Sequence, residues 1–95
     1  MDGRAELKVE GGKLLRADVT FDETIQDVEL HGDFFVYPEE ALDTLEAALE
    51  GVETGAGQER LSELVEHSLD ADTRLVGFAP DNVAAVVMEA VQDEE

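Results

Sequence analysis

The order of patterns along this chain predicts an α+β fold, in which a three-stranded antiparallel meander is followed by three helices packed on one face. Three observations carry that prediction. Up to residue 36, apolar and polar side chains alternate with the period of two of a strand. Beyond Pro38 the apolar spacing becomes that of amphipathic helices. Strands that all precede the helices, instead of interleaving with them, point to an antiparallel sheet with helices on one side. No linker or internal repeat divides the chain, so residues 1–95 are read as a single domain.

The first strand covers residues 5–10, with Ala5, Leu7 and Val9 on one face and Glu6, Lys8 and Glu10 on the other. Gly11-Gly12 is a two-residue hairpin signal, because glycine reaches positive φ without steric cost. Residues 13–21 form the second strand, with Leu15, Ala17, Val19 and Phe21 inward, and Asp22-Glu23-Thr24 turns the chain. A third strand runs from Ile25 to about Val36. Ile25 is out of phase with Val28 and Leu30, which predicts a bulge or a late strand start near Gln26. Val28, Leu30, Gly32, Phe34 and Val36 then face the core, and Glu29, His31, Asp33, Phe35 and Tyr37 face away.

Pro38 is expected at the first position of a helix, with Glu39 and Glu40 suiting the positive end of its dipole. Ala41, Leu42, Leu45, Ala48 and Leu49 give its apolar stripe and Gly51 its stop. A loop over residues 53–57 leads to a second helix from about Gln58 to Leu69, with Leu61, Leu64, Val65 and Leu69 inward. Residues 70–79 read as irregular, with Leu75, Val76 and Phe78 tucked against the core. Pro80 opens a third helix with Val83, Val86, Val87 and Val91 on one side, and the tail Asp93-Glu94-Glu95 is expected to fray.

Composition narrows the function. An apolar content of 43% is that of a chain with a core, not of a disordered one. The lack of cysteine excludes disulfides, thiolate metal sites and thiol or persulfide chemistry. No apolar run is long enough to span a membrane. The start of the chain carries Asp2 and Arg4 and no apolar signal core, so a cytoplasmic location is expected. The net charge of −19 argues against nucleic acid and anionic membranes as partners. Residues 1–20 are balanced in charge, and the whole excess lies beyond them. So acidic a chain, with two lysines, reads as built for molar salt, as in extreme halophiles.

The sheet face away from the helices is where a function would lie. It is expected to carry Lys13 or Leu14, with Arg16, Asp18, His31, Asp33, Phe35 and Tyr37. Large rings among acids make an unusual solvated surface, which suggests a face covered by another molecule. His31 and Asp33, two apart on one strand face, have the elements of an oriented base, yet no nucleophile lies at a matching spacing. A third metal ligand is lacking too, since His67 falls on a distant helix. No catalytic residue and no metal site is therefore expected, and the bland role for Asp33 is to cap or hydrogen-bond the turn into the helix. Asp70-x-Asp72-x-Arg74 lacks the glycine and the glutamate of a calcium loop. Gly51, Gly55 and Gly57 are not preceded by a strand or followed by lysine, as a phosphate loop requires. Glu39, Glu40, Asp43, Glu46, Glu50, Glu63 and Glu66 read as the wet faces of helices. Lys13 is placed to reach a phosphate or carboxylate; the alternative for the basic residues nearby is local pairing with Glu6, Glu10 or Asp18.

Several segments, in order, carry a family resemblance. Gly12-Lys13-Leu14-Leu15 opening a strand, Ile25-Gln26-Asp27-Val28, and Gly32-Asp33-Phe34-Phe35 between strand and helix resemble the C-terminal domain of lipoate–protein ligases. A helix ending Leu49-Glu50-Gly51, then a loop and two further helices, is similar as well. The resemblance covers nearly the whole chain. It implies the accessory, non-catalytic subunit of a two-chain ligase of the archaeal type, since the small domain stands alone here and begins at Met1. The large catalytic subunit would bind lipoate and Mg-ATP, form lipoyl-adenylate and pass the lipoyl group to a lysine of an acceptor domain. This chain would bind no cofactor of its own and would join the large subunit as a heterodimer. Lys13, Arg16, His31, Gly32, Asp33, Phe35 and Tyr37 are then the expected partner-interface or active-site-closing residues. The family's fold also resembles that of iron–sulfur scaffold and sulfur-acceptor proteins, whose cysteine chemistry this chain cannot perform. Two alternatives stay open: an acidic interaction module that regulates another enzyme or carrier protein, and a small enzyme using His31 and Asp33.

Overall fold

The computed structural model describes residues 1–9, 11 and 13–92. Its three long strands are β1 (Asp2–Val9), β2 (Lys13–Phe21) and β3 (Ile25–Gly32), paired antiparallel in the order β1-β2-β3. Ala5 lies opposite Ala17, and Ala17 in turn opposite Leu30, so one apolar row crosses the sheet. The β1–β2 hairpin closes on the pair Val9 and Lys13; of the expected Gly11-Gly12 turn, Gly12 lies outside the described residues, as does Glu10. The expected irregularity near Gln26 is present. The register shifts so that Thr20 faces Asp27 while Phe21 faces Ile25, which leaves Gln26 unpaired and lets Ile25 turn inward to full burial.

The third strand is shorter than its alternation predicts. It ends at Gly32, and a second, two-stranded sheet follows, formed by β4 (Phe35–Tyr37) and β5 (Arg74–Val76). The break has a steric cause. Gly32 sits at φ +147°, and a Cβ there would lie 2.0 Å from the Leu14 carbonyl oxygen. The chain passes β2 at that point through the Asp33 N–H, which donates to Leu14 O at 3.0 Å, and then leaves the sheet. The segment expected to be irregular contains β5, and its Val76 is exposed, not tucked against the core; Leu75 is half-buried and Phe78 buried.

Helix α1 (Glu40–Ala47) starts two residues later than expected. Pro38 precedes it in a turn closed by Ala41 N–H on Pro38 O and Leu42 N–H on Glu39 O. Pro80, by contrast, does open its helix, α3 (Pro80–Gln92), and α2 covers Gln58–Ser68. Asp93, Glu94 and Glu95, expected to fray, lie outside the described residues.

The core lies between the sheet and the helices. Leu15, Ala17, Val19, Phe21, Val28 and Leu30 meet Leu45, Leu61, Val65, Val83, Val86 and Val87, all buried. Helix α3 crosses β1 and β2 and packs on α2. Its approach to β1 depends on Gly3, where a Cβ would stand 1.8 Å from the Ala90 carbonyl oxygen. Ser62, the one buried polar side chain among the described residues, donates from α2 to Asp81 Oδ1 in the first turn of α3.

The outer edge of β3 is occupied by groups from the α1 region. Gly51 N–H donates to Ile25 O at 2.7 Å, and Ile25 N–H donates to Val52 O at 2.8 Å. Further along, Leu30 N–H donates to the Glu46 carboxylate at 2.8 Å. Edge groups engaged at Ile25 and Leu30 make β3 a poorer template for pairing with another strand.

Candidate functional site

Two surfaces carry the residues singled out in the sequence. The first is the open face of the three-stranded sheet. Because β2 buries Leu15, Ala17, Val19 and Phe21, its even-numbered residues project to the other side. Leu14, Arg16 and Asp18 therefore share this face with Arg4, Glu29 and His31, while Lys13 alternates onto the helix side, exposed at the sheet's end. Among the described residues Lys13 makes no ion pair. A hollow of about 710 Å³ lies along the face between Arg4, Asp18, Asp27 and Glu29.

Asp18 is the hub. Arg4 Nε donates to its Oδ1 at 2.6 Å, and Arg16 Nε stands 3.7 Å from its Oδ2. Arg4 and Arg16 have thus taken the local pairing that the sequence left open for the basic residues. The Arg16 Nε is buried and lacks a hydrogen bond. His31, across from Arg16 in the register, brings Nε2 to 3.6 Å from Asp18 Oδ2 and 3.9 Å from Glu29 Oε2. The His31–Asp33 contact that the strand alternation allows is not formed on this face. Gly32 ends the strand between them, and the carboxylates near the imidazole are those of Asp18 and Glu29.

The second surface is the β4–β5 ribbon. Phe34 and Val36 turn inward, Phe34 against Phe78 with ring centroids 4.7 Å apart. Phe35 and Tyr37 turn outward and remain 62% and 52% exposed, their rings nearly parallel (18°) at 6.3 Å. Directly across the ribbon, Val76 pairs with Phe35 and Arg74 with Tyr37. The inward and outward alternation of residues 34–37 is as the sequence predicts, but Phe35 and Tyr37 do not belong to the sheet that carries His31 and Arg16. Stacked and held out of the core, the two rings form an exposed apolar ridge.

Sequence reading missed three contributors. Val76 joins the ridge from a strand too short to show a period. Glu29, placed on the outward face by the alternation but not singled out, gains its part in the charged face through its register opposite Asp18. Glu46, read as a wet helix position, reaches the β3 edge instead. Burial raises its pKa above the ordinary glutamate value; the Leu30 N–H bond acts the other way, and the nearby charges of Asp43, Glu29 and Asp27 add to the rise.

No helix among the described residues is long and apolar enough to cross a membrane. No protein-family model and no curated protein matches the sequence. A solved structure does match the fold. It belongs to a structural analysis of an archaeal lipoylation system, a bipartite lipoate protein ligase and its E2 lipoyl domain, from Thermoplasma acidophilum. The superposition has a TM-score of 0.74 at 23% identity and covers 92% of this chain and 94% of that one. The two chains therefore share the α+β fold nearly end to end.

Proposed function

We propose that this chain is the accessory, non-catalytic subunit of a two-chain lipoate–protein ligase. The observation that carries the proposal is the fold shared, over nearly the full length of both chains, with a chain from a bipartite ligase system. The ordered sequence resemblance to the ligase C-terminal domain points the same way. The large subunit binds lipoate and Mg-ATP and forms lipoyl-adenylate with release of pyrophosphate. The lipoyl group then passes to a lysine of the acceptor domain. This chain completes the large subunit's site from outside: docked, it orders the site, excludes water and protects the adenylate from hydrolysis.

Phe35, Tyr37 and Val76 are the anchors of the docking surface in this reading, with Asp33 and Gly32 at its approach. Lys13, exposed at the sheet's end, supplies positive charge toward the adenylate, and Arg16 and His31 line the neighbouring charged face. The test is lipoate-dependent ATP–pyrophosphate exchange by the cognate large subunit with and without this chain. Exchange that requires both chains supports the proposal. Full exchange by the large subunit alone refutes it and turns the aromatic ridge to the interaction-module reading.

A further inference from the structure

The open face of the sheet holds a second arrangement, and it does not rest on the ligase reading. Asp18 and Glu29 are direct cross-strand partners, and His31 lies two residues beyond Glu29 on the same face. Like charges directly opposite one another repel, so this pair favours a cation beside it. Arg4 Nε holds Oδ1 of Asp18 at 2.6 Å, and Oδ2 lies on the side of the imidazole. A carboxylate fixed through one oxygen while the other is presented is how ligating carboxylates are commonly oriented. His31 Nε2 then stands 3.6 Å from Asp18 Oδ2 and 3.9 Å from Glu29 Oε2, and one ligand atom from each residue falls within 4.8 Å of the other two. Neither separation is a hydrogen bond. Ligand atoms each about 2.0–2.2 Å from one ion lie roughly 3–3.5 Å from each other. To reach that spacing, the His31–Asp18 and His31–Glu29 gaps close from 3.6 and 3.9 Å.

We propose that Asp18 Oδ2, Glu29 Oε2 and His31 Nε2 form an open, three-ligand site for a divalent transition-metal ion of the nickel, cobalt or zinc class. An imidazole nitrogen with two carboxylates selects such ions over magnesium or calcium, which prefer all-oxygen shells. The face is open to solvent, so water fills the remaining positions. Arg4 is a positioning residue. Arg16, with Nε 3.7 Å from the same Oδ2, is the cation with which the metal competes. That competition makes this a site of modest affinity, unlike a closed structural zinc site.

Nickel chloride titrated calorimetrically into the metal-free full chain tests the proposal. Saturable uptake of one ion per chain is expected. His31→Ala weakens it at least about tenfold, which corresponds to roughly 1.4 kcal/mol. His67→Ala, on the distant α2, leaves it unchanged, and Arg16→Gln tightens it. His31→Gln repeats the first test with a different side chain, and the circular dichroism of both His31 variants establishes that they are folded. Magnesium chloride binds at least about tenfold more weakly than nickel. Nickel uptake by folded His31 variants equal to that of the parent chain overturns the proposal, as does the lack of saturable uptake below about 1 mM in the parent chain.

Discussion

Glu46 is an acid placed against its own interest, and replacing it separates two opposing forces. Its carboxylate accepts the Leu30 N–H at 2.8 Å on the β3 edge, while burial and the charges of Asp43, Glu29 and Asp27 oppose its ionisation. Glu46→Gln keeps an acceptor for Leu30 and removes the charge. At neutral pH and low salt it is expected to be at least as stable as the parent chain. Glu46→Ala removes the acceptor as well and leaves a partly buried N–H without a partner, a loss of about 1–3 kcal/mol. In a domain of this size that difference between the Ala and Gln variants is roughly 4–8 °C in midpoint for each kcal/mol. The pH dependence follows from the direction of the shift. A folded pKa raised above the ordinary 4.5 means that the folded state holds the proton more tightly than the unfolded chain. Glu46 therefore adds stability as pH falls from above its folded pKa toward 4.5, and that gain is lost as pH rises through the folded value. Thermal melts of the three chains between pH 4.5 and neutrality are the assay, with the Gln variant lacking this component of the slope. A Gln variant less stable than the parent at neutral pH, or Ala and Gln variants with equal midpoints, would refute the reasoning.

Gly32→Ala is expected to destabilise the fold by at least about 1–3 kcal/mol from backbone conformation alone, before the contact with Leu14 O is counted; urea denaturation measures it, and a loss below about 0.5 kcal/mol contradicts the account. Phe35→Ala and Tyr37→Ala are expected to leave the isolated chain's stability within about 0.5 kcal/mol, because both rings are largely exposed. On the proposed function, the same variants are expected to weaken binding to the large subunit at least about tenfold each, measured by titration of the two chains. The midpoint of thermal unfolding is expected to rise between about 0.1 M and about 2 M KCl, where screening shortens to a few Å and the −19 charge no longer repels itself. Equal midpoints at the two salt concentrations would end the high-salt reading.

The fold was legible wherever periodicity had room to repeat. The β2 alternation, the α2 stripe and the proline at the head of α3 each repeat or begin a pattern that tertiary contacts then keep. The split between β3 and β4 was hidden because Phe34 and Val36 stay in phase with Val28 and Leu30 across it. The break comes from the approach of the Leu14 carbonyl to Gly32, a contact between residues distant in the chain. Strand β5 spans only three residues, less than two periods, so Val76 read as core when it lies opposite Phe35 on the exposed ridge. Pro38 and Pro80 carry the same local signal, yet Pro38 falls in a turn between β4 and α1. On the candidate surfaces, the sequence showed which side of their strands Arg16, Asp18, Glu29, His31, Phe35 and Tyr37 occupy. It did not show partners. Those are set by register, which puts Asp18 opposite Glu29 and moves His31 from Asp33 to Asp18. Glu46 was misread for a related reason: nothing in a helical wheel shows that its exposed side faces a strand edge.

The central claim concerns a missing partner, and reconstitution tests it most directly. ATP–pyrophosphate exchange dependent on lipoate is measured in high KCl with the cognate large subunit alone, with this chain alone, and with both. The account predicts exchange only when both are present, and its loss when Phe35→Ala/Tyr37→Ala replaces the parent chain. Full exchange by the large subunit alone, or exchange by this chain alone, would contradict it.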